Sequence, residues 1–153
     1  MRMYFEDFEV NQVFELGSRT LARERILAFA EEFDPQPFHL DETAASQSIY
    51  GGIIASGWHT GSVLMGLFAT ALLNNTSSQG SPGVDELRWL KPVRPGDTLH
   101  GRTTVLETRD SRSRPSVGLV QMHSELRNDT DEAVLSLKSW GLFSRRLDDA
   151  PSG

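Results

Sequence analysis

Asp34 and His39 hold the densest combination of proton-moving groups in this chain, in the segment FDPQPFHLD from Phe33 to Asp41. Imidazole is the side chain whose ordinary pKa lies nearest neutrality, and a neighbouring carboxylate can orient it or share a water molecule with it. On one continuous helix, five positions would turn the two side chains about 140° apart at ~100° per residue. Pro35 and Pro37 oppose that geometry and favour a stiff, bent loop in which both side chains could enter one pocket. By spacing alone the pair is a weak signal. An aspartate that merely stops a helix and a histidine bonded to backbone would look the same.

A second signal lies in GGIIASGWHT, where Gly51, Gly52 and Gly57 precede a long apolar run. The first amides of a helix lack intrahelical acceptors and carry partial positive charge, so they suit a carbonyl oxygen that becomes negative during reaction. Gly57 fits that role, and it fits equally a glycine placed where helix and sheet touch. His59 reads either as a hydrogen-bonded core histidine or as a pocket wall beside Trp58. His100 and His123 fall on strand-like runs without clustered partners. No HExxH or similar ligand spacing is present, so a metal site has little support, and GxSxG and phosphate-loop motifs are absent as well.

The elements that would position these residues follow from periodicity. ARERILAFAEEF places Ile26, Leu27, Phe29, Ala30 and Phe33 at helical spacing, with Arg23, Glu24, Arg25, Glu31 and Glu32 on the wet side. The Asp34-Pro35 pair ends this helix, and a second short helix is expected from Asp41 to Gln47. From Thr43 through Val84 there is no Asp, Glu, Lys or Arg. The centre of that stretch, IIASGWHTGSVLMGLFATALL, reads as a fully buried helix. Its serines, histidine and glycines, and the lack of flanking basic clusters, argue against a membrane span. After the loop NNTSSQGSPG come four strand-like runs, VDELRWL, DTLHGRTTVLETR, SVGLVQMHSELRN and EAVLSLKSWGLFSRR, separated by turn signals and expected to form an antiparallel meander. With an N-terminal strand around Gln12 to Thr20, the class is α+β, the sheet curling around the apolar helix because both apolar surfaces need cover. The expectation is a single domain over residues 1–147 and a frayed tail over 148–153.

Composition narrows the function classes. The 153 residues suit one domain, and the absence of cysteine excludes disulfides, thiolate nucleophiles and Cys-ligated metal centres. MRMYFEDFEV carries acids early and lacks the apolar core of a signal peptide, so a cytoplasmic protein is expected. A formal net charge of -6 argues against sequence-independent nucleic-acid binding. Arg109, Arg112 and Arg114 form a local basic patch, which reads first as a solvated hairpin tip and second as a clamp on a phosphorylated carrier.

Taken together, these residues resemble the MaoC-like dehydratases, which include the (R)-specific enoyl-CoA hydratases. The family's Asp-x-Asn-Pro-x-His pattern is matched by Asp34-Pro35-Gln36-Pro37-Phe38-His39, with Gln36 in the place of the usual asparagine. GGIIASGWHTGSVLMGL resembles the segment leading into the family's central helix, with Gly57 at the glycine whose amide forms the oxyanion hole and Ser56 where many members have histidine. LRWLKPVRPGDTL resembles the strand-turn-strand signature with its aromatic residue and Pro-x-x-x-Gly-Asp turn. The likeness runs from Phe5 to about Arg145.

The resemblance implies a hotdog fold, an antiparallel sheet wrapped around a long central helix, assembled as a homodimer. It implies acyl-CoA or acyl-carrier thioesters as ligands, no cofactor, no metal, and neither nucleic acid nor membrane as partner. Asp34, His39 and Gly57 become the expected catalytic groups, with Gln36, Ser56, Trp58 and His59 as candidate substrate contacts. The expected reaction is reversible hydration of a trans-2-enoyl thioester to an (R)-3-hydroxyacyl thioester. Two rivals use the same pocket: a thioesterase, against which stands the absence of any Asp or Glu from Trp58 to Leu73, and a non-catalytic acyl-thioester-binding module, since Gln36 and Ser56 depart from the hydratase pattern.

Overall fold

The structure is a computed structural model that describes residues 2–147; the tail expected over 148–153 lies outside the described residues. Helix α1 covers Arg23–Phe33 and buries Ile26 and Ala30. Asp34, with φ -152° and ψ 69°, leaves helical geometry while its amide still reaches the Ala30 carbonyl at 2.9 Å. The following proline disfavours the helical conformation at this residue. The bent loop expected from the two prolines is shorter than anticipated. Pro37 starts a one-turn helix α2, Pro37–Leu40, which carries His39. A proline at a first helical position costs nothing, because that amide would lack an intrahelical acceptor in any case. Helix α3, Glu42–Ser46, is capped by the Asp41 carboxylate, which accepts from the Ala44 amide at 3.2 Å.

The sheet contains β1 (Val13–Thr20), β2 (Gly83–Trp89), β3 (Thr98–Asp110), β4 (Val117–Arg127) and β5 (Ala133–Ser144) in the order β1-β3-β4-β5-β2, with every pairing antiparallel. Only β3, β4 and β5 form a meander. Strand β2 pairs with β5 at the far edge, so the Pro-containing connection from Leu90 to Asp97 crosses the end of the sheet instead of making a hairpin. That crossing brings Trp89 and the residues after it towards α1 and α2. Register irregularities at Glu15/Gly17, Asp85/Arg88 and Val105/Glu107 bend three of the strands, as bulges do.

Helix α4, Gly57–Ala71, packs against β1, β3 and β4. Strand β4 alternates strictly between buried and half-buried positions, the signature of a sheet with one face on a core. Val105, Val120, Leu126 and Leu135 are fully buried from that face and meet Val63 and Leu64 of α4. The helix is not covered on all sides as its apolar sequence suggested: Trp58 is 60% and Met65 50% exposed. Its 15 residues span only about 22 Å at 1.5 Å per residue, and among the described residues no helix is long and apolar enough to cross a membrane.

Candidate active site

The prolines place Asp34 and His39 on either side of the break between α1 and α2, and the backbone folds back so that the side chains meet. His39 is 4% exposed, and its Nε2 lies 3.2 Å from Asp34 Oδ2. Its Nδ1 lies 2.7 Å from the Ile54 carbonyl oxygen. Because a carbonyl can only accept, Nδ1 must carry a proton. That fixes the tautomer: Nε2 faces the carboxylate either as a second donor or as a lone pair free to take a proton. The imidazole is therefore held in position through one nitrogen and left chemically available through the other.

Asp34 is held from several directions. Gln36 Nε2 donates to Oδ1 at 2.7 Å, and the Ser56 side chain lies close enough to favour the ionised carboxylate. Burial, the largest single influence, pushes the Asp34 carboxyl up. The hydrogen bonds from Ser56 and Gln36, together with the charge and hydrogen bond of His39, outweigh it and hold the group below its ordinary range. The Gln36 amide thus reaches back two residues onto the carboxylate. Ser56 is fully buried, and its Oγ also accepts from the Trp58 amide at 3.3 Å, capping α4. One serine thus ties the start of α4 to the acidic group.

Gly57 is the first residue of α4, and its amide donates to no group among the described residues. The reason for glycine here is close approach. A Cβ would stand 2.5 Å from both Cε2 and Nε1 of Trp89, and the indole N–H of Trp89 donates to the Gly57 carbonyl at 2.7 Å. The packing reading of this glycine is thus met by the contact with Trp89, and Gly57 also lines a cavity. That cavity, of about 350 Å³, is lined by Asp34, Gln36, His39, Gly57 and Trp58 together with Tyr50, Ile54, Thr60, Trp89, Lys91 and Val93. A concave site with a few convergent polar groups on otherwise apolar walls is the usual form of a small-molecule site.

Two candidate contacts lie elsewhere. Ser56 stands behind Asp34, outside the cavity lining. His59 turns away, stacked on Phe29 with ring centroids 4.7 Å apart and planes 7° apart. Its Nδ1 is buried without a partner, and burial, then Arg19 and Arg25, lower its pKa. The Arg109–Arg114 patch spans the end of β3 and the β3–β4 connection, and Arg109 in β3 stacks over Trp140 at 4.3 Å. Trp140 pairs with Gly83, at the opposite end of β2 from Trp89, so this patch is remote from Asp34 within the protomer. Trp89, Tyr50 and Lys91 were not singled out in sequence. The aromatic residue before the Pro-x-x-x-Gly-Asp turn was the available signal for Trp89; nothing local marked the other two.

Comparison with known proteins identifies the fold and the family. The uncharacterised protein YdeM of Bacillus subtilis is 32% identical over 111 residues, 72% of this chain and 79% of YdeM. The 3-hydroxybutyryl-CoA dehydratase of Methylorubrum extorquens is 30% identical over 114 residues, covering 73% of this chain and 69% of that protein. Other relatives are much longer: the chain covers 30% of Protein MaoC from Klebsiella aerogenes. Among solved structures, a MaoC-like dehydratase from Rhodospirillum rubrum superposes with a TM-score of 0.86 at 41% identity, over 94% of this chain and 98% of its own. A Mycobacterium tuberculosis protein with a double hotdog fold superposes with a TM-score of 0.82 at 22% identity, over 99% of this chain and 47% of its own. The fold is a hotdog. With the MaoC like domain profile matching residues 7–126, the chain belongs to the MaoC-like dehydratase family.

Proposed function

We propose that the protein reversibly hydrates trans-2-enoyl thioesters, of coenzyme A or of a carrier, to (R)-3-hydroxyacyl thioesters. One observation carries the reading: the paired Asp34 and His39 line the same cavity as Gly57, the first residue of α4. In the proposed reaction Asp34, kept ionised by Ser56 and Gln36, takes a proton from a water whose oxygen bonds to the β-carbon. His39 Nε2–H gives a proton to the α-carbon, and proton return from Asp34 to His39 restores both groups. The Gly57 N–H stabilises the enolate-like oxygen that develops on the thioester carbonyl, a donor role whose loss typically costs about 3 to 4 kcal/mol of barrier.

The protein is further proposed to work as a cytoplasmic homodimer. Trp58, Met65, Val84, Trp89 and Leu90 are all exposed, more apolar surface near one edge of the sheet than a lone domain leaves to water, and the double-hotdog relative joins two such units.

Loss of enoyl absorbance with crotonyl-CoA tests the chemistry directly. Asp34→Asn and His39→Ala should each lower hydration by about 10²- to 10⁴-fold while the oligomeric state is kept. Near-normal turnover in either variant would sink the proposal. Free-thiol release without enoyl loss would replace it by hydrolysis, and binding without turnover by a carrier role.

A further inference from the structure

We infer that Tyr50 helps to set the stereochemistry of the reaction: its phenol oxygen holds the second hydrogen of the attacking water, and Arg94 is the positioning residue that keeps the phenol in the cavity. The inference deepens the hydration reading and rests on it. Of the two hydrogens of the water in that reaction, Asp34 takes one. The other stays on the oxygen, becomes the 3-hydroxyl proton and needs an acceptor throughout. Leaving such a proton unpaired away from bulk water is costly.

The side chains lining the cavity leave one hydroxyl free for this role. The Gln36 amide nitrogen is turned to Asp34, which directs its amide oxygen away from the carboxylate. Thr60 is buried, with its hydroxyl bonded to the Ser56 carbonyl. The Trp89 indole is committed to the Gly57 carbonyl and Lys91 to Glu132, and the indole N–H of Trp58 cannot accept. The Tyr50 hydroxyl has no hydrogen-bond partner among the described residues, and a phenol both donates and accepts. Its ring packs on Phe38 with centroids 5.6 Å apart, and Phe38 lies against the His39 ring at 4.4 Å. Tyr50 therefore stands on the His39 side of the cavity. With one hydrogen on Asp34 and the other on Tyr50, the lone pair of the water has a fixed direction and reaches one face of the β-carbon.

The backbone of Tyr50 is held at both ends. Its N–H donates to Ser48 Oγ at 3.2 Å, and its carbonyl accepts from Arg94 Nη2 at 2.6 Å. Gly51, with φ 68°, turns the chain immediately afterwards, in a region that glycine enters without steric cost. Arg94 lies in the connection after β2, where its own amide donates to Asp97 Oδ2 at 2.9 Å. One residue earlier, the Val93 carbonyl accepts from the Ala55 amide at 2.8 Å. The connection is thus tied to the facing segment at Tyr50 and at Ala55, beside the Ile54 carbonyl that orients His39. Arg94 itself is not part of the cavity lining, so its influence on the substrate passes through Tyr50.

The test compares the full chain with Tyr50→Phe, which keeps the ring on Phe38, and with Arg94→Met. Affinities for (R)-3-hydroxybutyryl-CoA and for butyryl-CoA, which has no hydroxyl, are measured by calorimetry in the Asp34→Asn background, where the esters persist. The (R)-to-(S) ratio of the product from crotonyl-CoA is measured with Asp34 intact. Tyr50→Phe should weaken binding of the hydroxy ester about fivefold, the net worth of one hydrogen bond, leave butyryl-CoA binding unchanged and lower the (R)-to-(S) product ratio. Arg94→Met should change the affinity ratio in the same direction and add nothing to it in a Tyr50→Phe background, because both act through one hydroxyl. An unchanged affinity ratio in Tyr50→Phe overturns the proposal. So does an equal loss for both esters, which would make Tyr50 a wall of the cavity and not a partner of the hydroxyl. An Arg94→Met effect on the ratio that persists in full beside Tyr50→Phe overturns the positioning role. If the affinity ratio moves as expected but crotonyl-CoA is not hydrated, the hydroxyl contact stands and the hydration reading fails.

Discussion

Gly57→Ala places a methyl group where Trp89 already is. Its Cβ would lie 2.5 Å from two indole atoms, roughly 1 Å inside ordinary carbon–carbon contact. The ring cannot retreat freely, because its N–H is bonded to the carbonyl of the same glycine. Overpacking of this kind costs about 1–3 kcal/mol, and loss of the indole hydrogen bond adds about 1 kcal/mol. Replacing glycine in a helix returns at most about 1 kcal/mol. The net expectation is a destabilisation of roughly 2 kcal/mol, or about 4–8 °C in Tm for a domain of this size. Thermal unfolding should be followed at fixed protein concentration, because association shifts the midpoint. In the proposed reaction activity should fall as well, since a displaced Gly57 amide would no longer meet the thioester oxygen. The decisive control is Trp89→Leu. In that background Gly57→Ala should cost less than about 0.5 kcal/mol, giving a coupling energy of about 1.5 kcal/mol in the double-mutant cycle. An equal cost in both backgrounds would refute the close-approach argument.

Two further outcomes follow from the electrostatics. Gln36→Ala removes a hydrogen bond that holds the Asp34 carboxyl low, so the acid limb of the kcat/KM profile should move to higher pH; an unmoved limb would mean that Gln36 does not govern this ionisation. His59 has a folded pKa below its unfolded value, so the native state resists its protonation, and stability should decline as pH falls from about 6.5 towards the lowered folded value. His59→Phe keeps a ring on Phe29 and removes the titration, so its stability advantage over the natural protein should be larger at pH 5 than at pH 8 in denaturant unfolding. A constant difference across that range would count against the burial of an unpaired imidazole nitrogen as the cause.

The sequence by itself determined the elements that carry the candidate site. Apolar spacing marked α1, Asp34-Pro35 marked its end, and the charge-free run marked α4, because each of these is a local preference of backbone or side chain. The candidate status of Asp34, His39 and Gly57 came from their places relative to those elements and from resemblance to a family. Tertiary structure decided the rest. Local sequence cannot say that His39 Nδ1 meets the Ile54 carbonyl, that Ser56 stands beneath Asp34 while His59 turns to Phe29, or that α4 leaves Trp58 and Met65 exposed. Above all, it did not show that β2 crosses to pair with β5 and delivers Trp89 onto Gly57. Strand order depends on which distant edges pair, and a run of alternating residues has the same pattern at either edge of a sheet. The chemistry was legible where one segment held it, and the cavity became legible only when segments far apart in the chain met.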